Sequence, residues 1–496
     1  MAKKFQNFIN GKWSDAKSGK TFENRSPANW DEVLGTFPKS GKEDVDEAVR
    51  CARTAFEKWR LMPAPGRGNI LRKVGDIMTA RKEELARGMT KEMGKVLLET
   101  RGDVQEGIDT AYYAAAEGRR LFGHTVPSEL PNKFNMSMRV PIGVAGIITP
   151  WNFPMAIPTW KIFPALVCGN TVVFKPASDT PETATRLVEI LLEAGVPEGV
   201  INIVHGGGSE VGMAIVEHPD IDLVSFTGSS AVGKKISEVA AKTLKRVSLE
   251  LGGKNAQIVM DDAKLDLALE GVLWGAFGTT GQRCTATSRL IVHEKVYDKF
   301  MSMLVESTKK LRLGDGLLDK TDVGPLVNEN QVQTVEQYVK IGKDEGATIS
   351  TGGKRAGGTG VEKGWFYEPT ILSDVKPAMR VAREEIFGPV LSVLKVGNIT
   401  EAIEVANGTK YGLSSAVYTQ DLNNAYQAIR DIKAGITYIN APTIGAEAHM
   451  PFGGVKETGN GHREGGWTVY EFFSEWKTVY VDYSGKLQRA QIDTKD

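Results

Sequence analysis

The sequence is poor in cysteine and histidine, and neither residue type is clustered. Its 496 residues include 3 cysteines, Cys51, Cys168 and Cys284, and 6 histidines. An odd number of widely spaced cysteines does not suit a disulfide framework or a cysteine-rich zinc site, and it fits a reducing compartment. The histidines show none of the spacings of a zinc-binding helix. We therefore expect a cytoplasmic protein without a metal site.

The sequence also lacks a charge excess and a long apolar run. Lysine plus arginine and aspartate plus glutamate both number 61, so no net charge favours nucleic acid or an anionic membrane. No segment approaches the roughly 18 consecutive apolar residues of a membrane helix. The first residues, MAKKFQNFINGKW, are polar where a signal peptide is apolar. These absences predict a soluble, unprocessed protein that binds a small molecule, with no nucleic acid or membrane partner.

The pattern along the chain predicts an α/β fold. A chain of 496 residues is too long for one hydrophobic core and should form two or three domains. Helical spacing over 43–120 predicts an amino-terminal helical layer. Four later apolar runs, 144–150, 171–177, 200–206 and 221–228, each end on glycine or proline and precede a helical pattern. Strands that alternate with helices predict a parallel sheet.

A second α/β pattern begins after 252–254 and carries Cys284. Two extended segments, within 123–141 and 474–496, stand apart from both patterns. Isolated strands need a partner edge, which predicts a homodimer or homotetramer.

Two glycine-containing turns follow predicted strands and are candidates for phosphate binding. In HGGGSEVG, 205–212, the third glycine, Gly212, comes one residue too late for the dinucleotide fingerprint. In FTGSSAVGKK, Thr227, Gly228 and Ser229 stand at a helix start, where free N–H groups and the helix dipole suit a pyrophosphate. The alternatives are a structural turn for the first and an ordinary helix cap for the second.

Cys284, in GQRCTATSR, is the candidate nucleophile, because a thiolate attacks carbonyl carbon. Glu250, in LELGGK, is the candidate base, and the amide of Asn152, in PWNFP, can donate to an oxyanion. Taken singly, these residues have other readings: a structural cysteine, a surface charge at a helix end, and a turn residue before Pro154.

Seven motifs occur in an order that resembles the aldehyde dehydrogenase superfamily across nearly the whole chain. They are ITPWNFP (148–154), KPASDTP (175–181), FTGSSAVG (226–233), LELGGK (249–254), GQRCTA (281–286), EEIFGPV (384–390) and PFGGVKETGNGHRE (451–464). The resemblance implies a Rossmann-like dinucleotide-binding domain, an α/β catalytic domain and a small β oligomerisation segment. The implied boundaries are 1–122 and 142–252 for the cofactor-binding domain, 253–440 for the catalytic domain, 123–141 and 474–496 for the oligomerisation segments, and 441–473 for a return to the cofactor domain with the substrate-side loop.

The resemblance also implies the activity. Aldehyde is oxidised to carboxylic acid with NAD or NADP, through a thiohemiacetal on Cys284, hydride transfer and hydrolysis of a thioester. Asn152 and the N–H of Cys284 form the oxyanion hole, and Glu250 is the base. Lys161 and Glu464 match a relay between Glu250 and solvent, although each could be a solvated surface charge.

The cofactor contacts implied by the resemblance run from the adenine to the nicotinamide. They are Ile148, Trp151, Lys175, Ser178, Gly208, Gly212, Thr227, Gly228, Ser229, Val232, Leu251, Gln331, Glu385 and Phe387. Many NAD-preferring relatives carry glutamate at position 178, where it holds a ribose hydroxyl and repels a 2′-phosphate. Ser178 removes that repulsion, which predicts dual use or a preference for NADP.

The substrate contacts implied are Arg283, Thr443 and Phe452, with Glu447 and His449 as further specificity candidates. Arginine next to the nucleophile also occurs in non-phosphorylating glyceraldehyde-3-phosphate dehydrogenases, so an aldehyde with an acidic tail is expected. One candidate is 2-oxoglutaric semialdehyde.

Four alternatives remain open. Arg283 could form a structural salt bridge instead of binding substrate. A phosphorylated aldehyde or a broad aldehyde range would also fit the resemblance. Acyl transfer to coenzyme A is disfavoured by Glu250, which acylating relatives typically lack. A non-catalytic binding protein on the same fold is disfavoured by the intact Cys284, Glu250 and Asn152. Against a succinic semialdehyde enzyme, Trp160 and Thr279 stand where those relatives often carry arginine.

Overall fold

The computed structural model describes residues 3–492. The parts of the predicted cofactor-binding and oligomerisation segments at 1–2 and 493–496 lie outside the described residues. The strands are β1 (Lys3–Lys4), β2 (Asn7–Ile9), β3 (Lys12–Ser14), β4 (Thr21–Ser26), β5 (Asn29–Pro38), β6 (Thr125–Val126), β7 (Lys133–Pro141), β8 (Val144–Ile148), β9 (Thr171–Lys175), β10 (Ile201–Ile203), β11 (Leu223–Thr227), β12 (Arg246–Glu250), β13 (Asn255–Val259), β14 (Thr287–His293), β15 (Thr348–Thr351), β16 (Thr370–Ser373), β17 (Val390–Val396), β18 (Ser414–Tyr418), β19 (Ile436–Ile439) and β20 (Ser474–Asp482).

The α-helices are α1 (Lys42–Trp59), α2 (Ala64–Ala80), α3 (Lys82–Met93), α4 (Leu97–Glu117), α5 (Ala156–Cys168), α6 (Pro181–Glu193), α7 (Met213–Glu217), α8 (Ser230–Ala241), α9 (Leu265–Phe277), α10 (Glu294–Thr308), α11 (Glu329–Asp344), α12 (Arg380–Arg383), α13 (Ile399–Asn407), α14 (Leu422–Asp431) and α15 (Val469–Phe473). A π-helical turn covers Gly208–Gly212, and 3₁₀ turns cover Gly278–Gly281 and Lys456–Thr458.

The first large sheet has the order β12-β11-β8-β9-β10-β2-β3, and β8 to β12 are parallel. The chain builds β8, β9 and β10 in one direction and then returns to place β11 on the other side of β8. This reversal creates a crevice at the carboxyl ends of β8 and β11, the usual ligand position in such sheets.

Both faces of this sheet are covered, because successive side chains of a strand point to opposite faces. On β8, Ala145 and Ile147 pack against the helices α2 to α6. Val144 and Ile148 pack on the other face, against α1, α7 and α8. The helices predicted over 43–120 are present, but they do not form one layer: most of the apolar stripe of α1 packs on the face opposite α2 to α4.

The second large sheet has the order β15-β16-β17-β14-β13-β18-β19 and is parallel except for β15. On β14, Ile291 packs with α11, α13 and α14. Leu290 and Val292 pack with α9 and α10 on the other face. Two helix-covered parallel sheets confirm the predicted α/β fold class.

A third sheet, β20-β7-β6, is formed by the two segments predicted to be extended. β20 pairs antiparallel with β7 along its whole length, from Ser474 opposite Pro141 to Asp482 opposite Lys133. Phe134, Trp476 and Tyr480 are exposed on it.

Membrane-spanning helices and metal-binding clusters were both searched for in residues 3–492. Within them, no helix has the length and apolar character to cross a membrane. The same residues contain no cluster of three or more histidine, cysteine, aspartate or glutamate side chains that could bind a metal ion.

Candidate active site

Four of the predicted site residues are the last residues of parallel strands. Ile148 ends β8, Lys175 ends β9, Thr227 ends β11 and Glu250 ends β12. Ile148 is in register with Lys175, and Thr227 with Glu250. The four residues therefore share one edge of the first sheet, at its crevice.

Cys284 lies in a tight loop between α9 and β14. Gly281 has a φ of 69°, and a Cβ there would stand 2.2 Å from the carbonyl oxygen of Gly388, so glycine is required. The side-chain amide of Asn255 donates to the carbonyl oxygens of Cys284 and Ala286 at 2.8 and 2.9 Å. These contacts hold the loop, with Cys284, against the start of β13 in the second sheet.

Two cavities of about 300 and about 240 Å³ meet at Cys284, which lines both together with Thr227 and Leu251. The larger cavity also contacts Glu250. The smaller one contacts Asn152. A thiol between two cavities can face a substrate from one side and a cofactor from the other.

The smaller cavity brings together most of the predicted cofactor residues. Those that line it are Trp151, Thr227, Gly228, Ser229, Leu251, Gln331, Glu385 and Phe387. The hydroxyl of Ser229 accepts the N–H of Val232 at 3.4 Å. Ser229 therefore caps α8, as the alternative interpretation of this turn expected. The cavity thus contains the N-terminus of a 12-residue helix, which favours a pyrophosphate.

The remaining predicted cofactor residues lie outside the lining of that cavity. Lys175 is buried, and burial lowers its pKa to about 8 against the opposing charge of Asp179. The Ser178 hydroxyl donates to the carbonyl oxygen of Gly206 at 3.2 Å. Gly208 and Gly212 bound the π-helical turn, Ile148 ends β8, and Val232 is exposed on α8.

Glu385 supplies a buried carboxylate to the smaller cavity. It accepts the N–H of Gly253 at 3.0 Å, and burial raises its pKa to about 7. The ring of Phe387 meets Trp151 edge-on at 5.4 Å. Gln331 supports this segment by donating its amide to the carbonyl oxygens of Ile386 and Phe387 at 2.9 and 2.8 Å. A carboxylate acceptor and aromatic rings beside a helix N-terminus fit a dinucleotide.

Glu250 is buried, and neither of its carboxylate oxygens has a hydrogen-bond partner among the described residues. Burial, and then the charge of Glu464, raise its pKa well above the ordinary value of a glutamate. Gly453 has φ 151°, and a Cβ there would lie 2.5 Å from Oε1 of Glu250. An unpartnered carboxylate of raised pKa is suited to general base catalysis.

Lys161 and Glu464 are not solvated surface charges. The Lys161 Nζ donates to Oε1 of Glu464 at 2.6 Å and to the Ser225 hydroxyl at 2.9 Å, and both charged side chains are buried. That alternative is therefore wrong, and the pair lies close enough to Glu250 to act on its pKa.

Cys284 itself requires activation. Burial, followed by the charges of Glu250 and Glu385, raises the pKa of its thiol to about 12. The N–H groups of Thr285 and Cys284 act in the opposite direction, because they donate to the sulfur. The side chain of Asn152 lines the smaller cavity, where its amide can donate.

Arg283 lines the larger cavity and also forms the salt bridge weighed as an alternative. Its Nη2 donates to Oε1 of Glu99 at 2.9 Å, and its Nε donates to the Thr279 hydroxyl at 2.8 Å. Its Nη1 has no hydrogen-bond partner among the described residues, so one donor remains for a ligand.

Phe452 lines the larger cavity, with its ring 4.8 Å from that of Trp160. Thr443 does not line it: it is fully buried, and its hydroxyl bonds to the Thr285 carbonyl oxygen at 2.6 Å and to the Thr287 hydroxyl at 2.8 Å. The expectation that Thr443 contacts substrate is corrected, since its hydrogen bonds hold the Cys284 loop. Ile444, Gly445 and Ala446 line the cavity instead. Glu447 and His449 line a neighbouring pocket that shares Gly102, Glu106 and Ala446 with this cavity.

Sequence reasoning missed the contribution of α4. Leu98, Glu99, Gly102, Asp103 and Glu106 line the larger cavity. They form two adjacent pairs, 98–99 and 102–103, that are four residues apart, with Glu106 four residues after Gly102, and this spacing places them on one face of a helix. The sequence signal that could have revealed this contribution is the presence of acidic residues on the helix face that is turned towards the interior.

The sequence model described as the aldehyde dehydrogenase family matches residues 13–479. An alpha-ketoglutaric semialdehyde dehydrogenase of Bacillus subtilis (strain 168) is 43% identical over 477 residues, which cover 96% of this chain and 98% of that protein.

Solved structures are also similar to this chain. A betaine aldehyde dehydrogenase of Staphylococcus aureus, solved in complex with NAD+, superposes with a TM-score of 0.95 at 36% identity, covering 97% of each chain. An NADP-dependent enzyme of E. coli superposes with a TM-score of 0.93 at 39% identity, covering 97% of this chain and 98% of its own.

Proposed function

The chain belongs to the aldehyde dehydrogenase family, and from this premise we propose that it oxidises a semialdehyde with an acidic tail to the carboxylic acid, using NAD or NADP. The observation that carries the proposal is the meeting of two cavities at Cys284, beside Glu250, a buried carboxylate that has no hydrogen-bond partner among residues 3–492. Nucleophile, base and a separate cofactor cavity are the parts that this oxidation requires.

In the first step, Glu250 accepts the thiol proton of Cys284, and the sulfur attacks the carbonyl carbon of the aldehyde. A carbon–sulfur bond forms while the π electron pair moves onto oxygen. The amide of Asn152 and the N–H of Cys284 donate to that oxygen. Because burial raises the pKa of Cys284 to about 12, the sulfur depends on a nearby base.

The nicotinamide ring, when bound, supplies the acceptor for the hydride that leaves the substrate carbon. Water then attacks the thioester carbon, Glu250 accepts a proton of that water, and the carbon–sulfur bond breaks with its electron pair on Cys284. We propose that the buried pair of Lys161 and Glu464 connects Glu250 to solvent for release of the proton.

The choice between NAD and NADP is proposed from Ser178. Serine neither repels a 2′-phosphate nor supplies a cation, while Lys175 adds positive charge at the same edge of the sheet. We therefore propose that NADP is accepted, alone or together with NAD.

The acidic tail is proposed from Arg283, whose Nη1 has no protein acceptor among residues 3–492 and can donate to a carboxylate. The name of the Bacillus subtilis relative supports 2-oxoglutaric semialdehyde as the first candidate.

We propose that the chain is divided into three functional parts. Residues 1–122 and 142–252 form the cofactor-binding domain, 253–440 the catalytic domain, and 441–473 the substrate-side return. The exposed apolar residues of the third sheet support assembly through 123–141 and 474–496 as a homodimer or homotetramer. The three free cysteines support a reducing, cytoplasmic location.

The test is reduced-cofactor absorbance with acidic, phosphorylated, aliphatic and aromatic aldehydes, each with NAD and NADP. We expect activity highest with the acidic semialdehyde and absent in Cys284→Ala. Cys51→Ala is the control, since Cys51 lies far from the site on α1 and should leave activity unchanged. Activity that survives Cys284→Ala, or an acidic aldehyde that is oxidised worse than a neutral one, would contradict the proposal.

A further inference from the structure

Two polar atoms buried beside the larger cavity have no hydrogen-bond partner among the described residues. They are Oε1 of Glu106, on α4, and Nε1 of Trp160, on α5. Both residues line the cavity that ends at Cys284. A buried donor or acceptor without a partner is costly to a folded protein. Their position beside a substrate cavity indicates that a ligand supplies the missing partners.

Of the α4 carboxyl groups that line this cavity, Glu106 is the one that forms no salt bridge with a cation among the described residues. Its neighbour Asp103 is paired with Lys95 at 2.6 Å, and Glu99 is paired with Arg283 at 2.9 Å. The charges of Asp103 and Glu99 are therefore balanced by their cations. An ionised Glu106 would add a negative charge to the cavity, which would repel an acidic aldehyde.

Several groups act on the charge of Glu106. Burial, followed by the charge of Asp103, raises its pKa to about 8, and Asp109 on the same helix acts in the same direction. Lys95 and Arg283 oppose these effects. The charge of Glu106 acts on Tyr438 of β19. The other titratable groups that line a pocket together with Glu106 are Asp109, Tyr112, Tyr113, Glu447 and His449. Near neutral pH the side chain is therefore a neutral acid with an O–H to donate.

We propose that Glu106 is a specificity-determining residue, which in its protonated form donates a hydrogen bond, together with Nε1 of Trp160, to an oxygen of the substrate's acidic tail. This inference rests on the proposed function. Arg283 donates to the tail through its Nη1, and the two uncharged donors orient it. When Glu106 loses its proton, the cavity gains a negative charge and rejects acidic substrates.

The opposite role for Glu106 would be an ionised carboxylate that binds a cationic tail. The two roles differ in their response to pH and to amide replacement. Glu106→Gln keeps the shape of the side chain and an N–H donor but cannot ionise. Under the proposed role this variant should preserve the binding of an acidic tail. Under the opposite role it should strengthen that binding and abolish the binding of a cationic tail.

The experiment measures kcat/KM for 2-oxoglutaric semialdehyde, pentanal and betaine aldehyde between about pH 6 and about pH 10, a range that brackets the pKa of about 8. The ratio of the semialdehyde to pentanal cancels the pH dependence of the shared chemistry. In the native protein we expect this ratio to fall about tenfold per pH unit above about pH 8. In Glu106→Gln it should stay flat, within about twofold of the native value at neutral pH.

Trp160→Phe tests the second donor. It removes the indole N–H and keeps an aromatic ring, so the ratio should fall about tenfold at every pH, because a hydrogen bond to a charged group is lost. Glu84→Gln on α3 is the matched control: it removes an exposed carboxylate that does not act on the pKa of Glu106 and should leave the ratio and its pH dependence unchanged.

Three outcomes would overturn the inference: a ratio in the native protein that is independent of pH, a Glu106→Gln variant that keeps the fall, or a variant that gains semialdehyde and loses betaine aldehyde. If no aldehyde is oxidised in a Cys284-dependent manner, the proposed function itself fails. If pentanal and the semialdehyde are oxidised with a flat ratio, only the role of Glu106 fails.

Discussion

Lys161 and Glu464, which lie 303 residues apart in the sequence, form a buried ion pair with 2.6 Å between Nζ and Oε1. The pair acts on the pKa of the proposed base. The charge of Glu464 raises the pKa of Glu250, and the charge of Lys161 lowers it. Since the two effects oppose each other, the ion pair moderates the proton affinity of Glu250. Removing one member should change both stability and catalysis.

Lys161→Met should destabilise the protein by about 3–5 kcal/mol, because it leaves Glu464 buried without a counter-charge. It should also move the pH dependence of kcat to higher pH, since the pKa of Glu250 rises further. Urea unfolding and a pH profile measure the two effects. Lys4→Met is the control, because it breaks an exposed ion pair, Lys4 with Asp15 at 2.7 Å, and should change neither quantity. Equal unfolding curves for both variants would contradict the role assigned to the pair.

Glu250 should make activity rise with pH. Its folded-state pKa is raised, so the carboxyl keeps its proton at low pH and becomes a base only as the pH passes that pKa. Below it, kcat should rise about tenfold per pH unit, as expected for a single deprotonation. Glu250→Gln should lower kcat by about 100-fold or more and remove the rise. Persistence of the same pH profile in the variant would assign the base to another group.

Gly453→Ala should impair catalysis without a contact to substrate. The new Cβ would lie 2.5 Å from Oε1 of Glu250 and 2.8 Å from Cδ of Arg463, on a backbone with φ 151°. We expect kcat to fall by about tenfold or more, because displacement of a catalytic group by about 1 Å is costly. Gly88→Ala on α3 is the control, since no atom lies within 4 Å of its added Cβ. Native kcat in the Gly453 variant would show that Glu250 tolerates displacement.

Ser178→Glu should shift the cofactor preference towards NAD. The new carboxylate would stand at the edge of the sheet next to Lys175, where it can accept from a ribose hydroxyl and repel a 2′-phosphate. We expect kcat/KM for NADP to fall about tenfold or more while that for NAD is kept. Ser178→Ala separates charge from the loss of the hydroxyl, because it removes the hydrogen bond to Gly206 without adding a charge. Unchanged use of NADP by the glutamate variant would refute the assignment.

Much of the fold followed from local patterns in the sequence. The alternation of apolar runs and helical periodicity predicted parallel sheets, and β8, β9, β10 and β11 fall within the four predicted runs. The split of the amino-terminal helices between two faces was not predicted, because α1 and α2 have the same kind of apolar stripe. Which sheet face each stripe covers depends on contacts with strands that come much later in the chain.

For the functional site too, some residues were identified from the sequence, and others could be understood only from the folded chain. Cys284 and Glu250 were identified because their chemistry depends on residue type, and the order of the motifs singled them out. Thr443 was assigned wrongly, because its hydroxyl is occupied by Thr285 and Thr287, which reach it only in the folded chain. Glu106 was missed, because its lack of a partner depends on the pairing of Lys95 with Asp103 and of Arg283 with Glu99.

The sequence by itself determined the family, the α/β class and the chemical identity of nucleophile and base, since periodicity and motif order are local properties of a chain. Tertiary structure decided which charges are paired, which polar atoms are left without a partner and how the two cavities meet at Cys284. Those properties arise from packing between distant segments: whether a carboxyl is a surface charge, half of a buried pair or a proton donor depends on the neighbours that exclude water from it.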